Sequence, residues 1–183
     1  MNIISGKYRG RVLKSPASAR PTLARVKTSL FSIISDSISD ECICLDLFAG
    51  SGALGFEVLS RGAKHTYFID SDKQAIKIIE QNLKNVDRDL YSIFQADAVL
   101  ALKNFSKQNK KFDLIFIDPP YASKLGDIAV DIIFRLDLLN DGGRIVFECG
   151  DDKHLHKLPK GCIIEKIKDY GTAKIYLLKR EDN

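Results

Sequence analysis

The chain reads as an α/β protein with a parallel sheet covered by helices on both faces, and three observations predict this. From residue 43 onward, short apolar runs alternate with segments of helical period. The runs are continuously apolar, the pattern of strands buried on both faces and joined by crossover helices. Near the C-terminus the alternation stops, and two strand-like segments flank a turn as in a β-hairpin.

Taken in order, Asn2–Ser5 and Gly10–Lys14 suggest two short strands around the turn-like Gly6-Lys7-Tyr8-Arg9. Ser15–Arg20 reads as a loop. Pro21 and Thr22 then open a helix whose apolar face carries Val26, Leu30, Phe31 and Ile34. Strands follow at Ile43–Phe48, Thr66–Asp70, Tyr91–Gln95, Phe112–Asp118 and Arg144–Cys149. Helices separate them at Ala53–Arg61, Asp72–Asn85, Ala98–Phe105 and Gly126–Leu136. Cys162–Lys168 and Lys174–Lys179, around Asp169-Tyr170-Gly171-Thr172, form the terminal hairpin. No repeat or linker divides the chain. We expect one globular unit, with residues 1–40 a basic hairpin-and-helix extension packed on a domain of residues 41–183.

Composition sets the class. Of the 183 residues 45% are hydrophobic and 28% charged, which suits a globular domain able to bury a core. No stretch is apolar and long enough to span a bilayer, and the first ten residues lack an apolar signal core, so a cytoplasmic location is expected. The four cysteines, Cys42, Cys44, Cys149 and Cys162, have no framework spacing and read as thiols. Cys149, His154, His156 and Cys162 match no zinc-ligand spacing, so no metal is expected.

Charge is unevenly placed. Lys7, Arg9, Arg11, Lys14, Arg20, Arg25 and Lys27 give +7 within the first 35 residues, where there is no Asp or Glu; the whole chain carries +4. A basic leading segment with little bulky apolar surface suits a nucleic-acid partner better than a membrane.

Two places carry chemistry. Gly50-x-Gly52-x-x-Gly55 sits where the first apolar strand turns into a helix, so its backbone can approach a ligand closely. Alone, it fits a dinucleotide site with Asp70 on the ribose. Asp46, four residues before the first glycine, and Asp97, after the third strand, add two more strand-end acids. Each taken singly suits a helix cap. Together they line the carboxyl ends of the strands, where such sheets bind ligands.

The second place is Asp118-Pro119-Pro120-Tyr121, directly after the fourth strand. A nucleobase amine is a poor nucleophile because its lone pair is delocalised into the ring. Asp118 and the carbonyl of Pro119 can both accept hydrogen bonds from it, while Pro120 stiffens the turn. Tyr121 can stack on a base swung out of its helix or loop.

Asp-Pro-Pro-Tyr with Asp46-x-x-x-Gly50-x-Gly52 resembles the class I S-adenosylmethionine-dependent methyltransferases that act on amines. The N-terminal pattern narrows this. Ile3-Ile-Ser-Gly-Lys-Tyr-Arg-Gly-Arg11, Arg20-Pro-Thr-x-x-Arg25-Val26 and Leu30-Phe31 are similar to the RsmD family, over nearly the whole chain. That resemblance implies methylation of the N2 amine of a guanine in bacterial small-subunit (16S) ribosomal RNA, free or within an assembled subunit, by a monomer. It also implies a Rossmann-like sheet whose last strand enters antiparallel. Asp70 stands where Glu is commoner, and either acid can hold ribose hydroxyls.

On this reading S-adenosylmethionine lies across the strand ends and leaves as S-adenosylhomocysteine. Asp46 and Gly50–Gly52 face its amino-acid end, Asp70 its ribose and Asp97 its adenine; Phe48, Ala49 and Ala98 line the same site. Asp118, Pro119, Pro120 and Tyr121 hold the base for direct in-line transfer, with no metal and no covalent enzyme intermediate. Lys7, Arg9, Arg11, Lys14, Arg20 and Arg25 meet RNA phosphates. The motif itself leaves open adenine N6 or a glutamine amide as acceptor. A non-catalytic RNA-binding assembly factor and an NAD oxidoreductase are further readings.

Overall fold

The computed structural model describes residues 1–15, 24–120, 123–150, 158–171 and 173–181, with residues 24, 25, 150 and 173 described in backbone alone. Among them are α1 (Ala24–Ile33), β1 (Ile43–Asp46), α2 (Ala53–Ser60), β2 (His65–Asp70), α3 (Lys73–Asn82), β3 (Tyr91–Gln95), α4 (Ala98–Lys107), β4 (Phe112–Ile117), α5 (Leu125–Arg135), β5 (Leu139–Gly150), β6 (Cys162–Asp169) and β7 (Ala173–Arg180). The strands form one sheet in the order β3-β2-β1-β4-β5-β7-β6. β1 to β5 run parallel, and β7 runs antiparallel to both its neighbours, β5 and β6.

The period-2 alternation of side chains divides the apolar runs between two faces. Cys44, Leu114, Phe116, Val146, Ile175 and Leu177 pack against α1 through Val26, Leu30, Phe31 and Ile34. Phe68 continues that face beneath α2 and α3, among Phe56, Leu59, Ile79 and Leu83. The alternate residues Leu45, Ile115, Ile117, Ile145, Phe147 and Leu178 meet Leu102 and Phe105 of α4 and Val130 and Ile133 of α5. Both faces are therefore dry, as continuous apolar runs require.

Because every crossover to a parallel neighbour passes through a helix, the carboxyl ends of β1 to β5 share one edge. Strand order reverses between β1 and β4, so a crevice opens there. Helix starts lie at this edge. Asp72 caps α3 by accepting from Gln74 N, and Asp97 caps α4 by accepting from Val99 N and Leu100 N. β5 begins earlier than its apolar run, at Leu139, because a register irregularity separates the Phe112–Leu139 pair from the Leu114–Arg144 pair.

The two short N-terminal strands reduce to a single antiparallel bridge between Asn2 and Val12. Ile3 N donates to Arg11 O at 3.0 Å, Gly10 N to Ile3 O at 2.8 Å and Leu13 N to Met1 O at 2.8 Å, so the segments pair as a hairpin, but the amides next to its turn go elsewhere. Ile4 N and Ser5 N donate to the Glu57 carboxylate at 2.8 and 3.0 Å, and Lys7 N donates to Ser60 O at 2.7 Å. Those donors bind α2 instead of a partner strand. Gly6, at φ +83°, makes the approach possible, since a Cβ there would lie 1.7 Å from Ser60 O. Glu57 also pairs with Lys27 at 2.9 Å and Arg61 at 3.0 Å, so one buried carboxylate ties the arm, α1 and α2 together. No helix among the described residues is long and apolar enough to cross a membrane.

Candidate active site

The turn after β1 is built by backbone bonds across the sheet edge. Leu47 N donates to Phe116 O at 3.1 Å and Ala49 N to Ile69 O at 2.9 Å, which holds Phe48 and Ala49 between β4 and β2. Gly50 and Gly52 then adopt φ of +55° and +74°, conformations that L side chains avoid. A Cβ on Gly50 would meet nothing within 4 Å, so open space lies above the turn. Gly55 serves packing: a Cβ there would lie 2.5 Å from the Phe68 ring, so only glycine lets α2 sit this close to the sheet.

Three acids stand around this turn in different roles. Asp46 is buried beneath it, and its Oδ2 accepts from Gly55 N at 2.9 Å. Burial pushes its carboxyl up to about 7; the Gly55 amide opposes the shift and the charge of Asp70 adds to it. Asp70 ends β2 half-buried. Its Oδ2 accepts from Gly50 N at 2.8 Å and its Oδ1 from Asp72 N at 2.8 Å, so it braces the turn while each oxygen keeps a lone pair for a ligand. Asp97 is exposed after β3, with Oδ1 engaged in capping α4 at 2.9 and 3.1 Å. Ala98 is buried behind it as the first residue of α4.

Asp118 follows β4 at the same edge and is half-buried. Burial raises its carboxyl well above the usual range, and the charges of Glu148 and Asp46 add to the shift. Pro119 packs toward α5, with its Cγ 3.1 Å from where a Cβ on Gly126 would stand. Pro120 is exposed, and its carbonyl is taken by Ser123, through the amide at 3.2 Å and the hydroxyl at 2.8 Å. The stiff turn thus consumes one of its two proline carbonyls. Tyr121 lies outside the described residues, as do His154 and His156 of the discarded zinc spacing.

The basic residues separate. Lys7, Arg9 and Lys14 are exposed; Arg11 is half-buried, donates to Lys84 O and covers the Phe56 ring at 5.2 Å. Lys7 lies at the C-terminal end of α2 beside Ser60, about 12 Å from the glycine turn along an eight-residue helix. Lys14 lies at the other end. Asn82 links it to the turn, accepting from Lys14 N and donating to Lys14 O and to Ser51 O, each at 2.9 Å. Arg20 lies outside the described residues, and Arg25 is described only in backbone, within α1. Lys27, part of the basic count, is buried against Glu57 and faces no solvent.

Sequence reasoning passed over three residues here. Glu57 and Asn82 have partners more than 25 positions away, and no local pattern marks them. Glu148 did leave a signal: it is one more strand-end acid, on β5, after Asp46, Asp70, Asp97 and Asp118.

A parallel sheet with an inserted antiparallel β7, a glycine turn after β1 and Asp-Pro-Pro after β4 together define a class I methyltransferase fold. Known proteins carry the comparison further. The solved structure of yhhF from Escherichia coli superposes with a TM-score of 0.86 at 31% identity, covering 99% of this chain and 98% of that one. The family described as conserved hypothetical protein 95 matches residues 1–179. Ribosomal RNA small subunit methyltransferase D of Haemophilus influenzae is 36% identical, over 97% of this chain and 92% of its own. Its namesake from Escherichia coli strain K12 is 31% identical, over 99% and 90%. The chain belongs to this family, the RsmD family.

Proposed function

We propose that the chain transfers a methyl group from S-adenosylmethionine to the N2 amine of a guanine in small-subunit ribosomal RNA. The observation that carries the reading is Asp118-Pro119-Pro120 at the end of β4, adjacent to the glycine turn that ends β1. The names of the family relatives support ribosomal RNA as substrate.

The residues fit the methyl donor. Open space above Gly50, a strand-end carboxylate at Asp70 and a third acid at Asp97 suit a ligand with a ribose diol and an aromatic amine. When bound, S-adenosylmethionine supplies a methyl group on a sulfonium. Asp70 would hold the ribose hydroxyls, with Phe48, Ala49 and Ala98 around them and Asp97 near the adenine. Asp46, turned under the helix start, acts by fixing Gly55 and hence the turn. On the other side, Asp118 and the Pro119 carbonyl accept the two N–H bonds of the target amine, which localises its lone pair and aims it. Pro120 and Ser123 lock that carbonyl's turn, and Tyr121 would stack on the base. Once the amine nitrogen carries the methyl group it must lose a proton, which Asp118 would accept. Lys7, Arg9, Arg11, Lys14, Arg20 and Arg25 are proposed to meet phosphates, with Lys14 closest to the turn among those described.

Ribosomal RNA from a strain lacking the gene, compared with its parent, tests this. One small-subunit guanine should lose its N2 methyl group and regain it on complementation. A missing N6-methyladenosine instead would replace guanine by adenine, and unchanged RNA would refute the reading.

A further inference from the structure

Glu148 stands beside Asp118, and the reaction as described gives it no task. The β4–β5 register pairs Ile117 with Phe147, so the residues that follow, Asp118 and Glu148, occupy neighbouring positions on two parallel chains. Such chains lie about 4.7–4.9 Å apart, and residues in register project to the same side. For this pair it is the side of Phe116 and Val146, where Asp46 of β1 also points. Glu148 cannot drift away, because its backbone is also paired with Ile175 of β7. It is half-buried, and no described residue donates a hydrogen bond or forms an ion pair with its carboxylate. Its carboxylate oxygens keep contact with solvent at the strand ends and are free to accept from a ligand.

We infer that Glu148 determines the base: it accepts the N1–H of the target guanine while Asp118 accepts from the N2 amine. The inference rests on the reading of Asp118 as the amine's acceptor. On the Watson–Crick edge of guanine the amine stands next to N1–H, so two donors lie side by side and match two carboxylates side by side. On adenine the amine stands next to N1 with a lone pair and no hydrogen. A carboxylate there would face a lone pair and remain unsatisfied, and a site built for a donor rejects an analogue without one. The pair thereby separates guanine N2 from adenine N6, which the Asp-Pro-Pro turn alone does not.

Once the methylated nucleotide is located, an RNA fragment spanning it is made with either guanosine or 2-aminopurine at that position. The analogue keeps the amine at C2 but carries no hydrogen on N1. Wild-type protein should methylate the guanosine fragment about ten- to a hundredfold faster in single turnover, the range for one charge-assisted hydrogen bond. Glu148→Gln should bring that ratio to within a few-fold, chiefly by slowing guanosine, with S-adenosylmethionine affinity within a few-fold of normal. Comparing both bases in both proteins cancels contacts to O6, which the analogue also lacks. A ratio unchanged by Glu148→Gln overturns the inference while the methylation reading stands. Equal wild-type rates on the two fragments overturn it even if the variant does not fold. Failure of wild type on guanosine removes the methylation reading and the inference with it.

Discussion

Replacing Glu57 by Gln should cost about 3–5 kcal/mol of stability, the range for removing one partner of a buried ion pair. The carboxylate is fully buried and accepts from Lys27 at 2.9 Å, Arg61 at 3.0 Å, Ile4 N at 2.8 Å and Ser5 N at 3.0 Å. The amide has the same shape, but it carries no charge and offers an NH2 to neighbours that are all donors. Arg61, at 21% side-chain exposure, can turn to water, whereas Lys27, at 1%, cannot. Against a total of about 5–15 kcal/mol the loss is large. Urea unfolding reads it directly, and hydrogen exchange at Ile4 and Ser5 should accelerate as the arm loosens. The deficit should also depend on pH. Burial lowers Lys27 in the native protein and the Glu57 carboxylate opposes that shift. Without Glu57 the native state binds fewer protons than the unfolded one over a wider window. The variant's stability should therefore rise with pH toward the ordinary lysine range. Adding Lys27→Met should restore part of the loss. A deficit under about 1 kcal/mol, or one that does not shrink as pH rises, would refute the reasoning.

Asp118→Ala should abolish methyl transfer yet leave S-adenosylmethionine affinity within a few-fold, as single-turnover rates and calorimetry would read. In the wild type the rate should fall, as pH drops, at a pH above the ordinary carboxylate range, because a raised Asp118 is protonated there and stops accepting. Asp70→Ala should weaken S-adenosylmethionine binding by at least about tenfold, from charge-assisted hydrogen bonds of roughly 1.5–3 kcal/mol each and a turn that loses its brace on Gly50. Unchanged affinity in titration would move the ribose elsewhere. Replacing Lys7, Arg9 and Lys14 by Gln should flatten the log–log salt dependence of RNA binding by roughly 0.7–0.9 per lost contact without moving cofactor affinity. An unchanged slope across several salt concentrations would take the arm off the RNA surface.

The parts of the fold that were readable are those whose signal is local. The apolar runs of β1, β2 and β4 and the caps at Asp72 and Asp97 announce strand ends and helix starts within a few residues. The N-terminal hairpin was readable from its turn, but its ladder is short because Ile4 N and Ser5 N go to Glu57, more than 50 positions away. Lys27 was counted with the basic surface for the same reason, since nothing near it in sequence shows that its partner is buried. At the site, glycine spacing located the turn. The bond from Gly55 N to Asp46, which needs Gly55 packed against Phe68, was not legible there. Glu148 was visible as a strand-end acid after the core run Ile145-Val146-Phe147, but not as a neighbour of Asp118. Only the register against β4 brings it to Asp118.

The central claim, amine methylation on a ribosomal RNA base at Asp118, is tested most directly by the product nucleoside. Purified protein is incubated with methyl-labelled S-adenosylmethionine and small-subunit RNA from the deletion strain, naked and assembled, and the RNA is digested for mass spectrometry. The account predicts label in N2-methylguanosine, and none when Asp118→Ala replaces the wild type. Label confined to N6-methyladenosine, RNA that stays unlabelled in both forms, or equal labelling by the variant would contradict it.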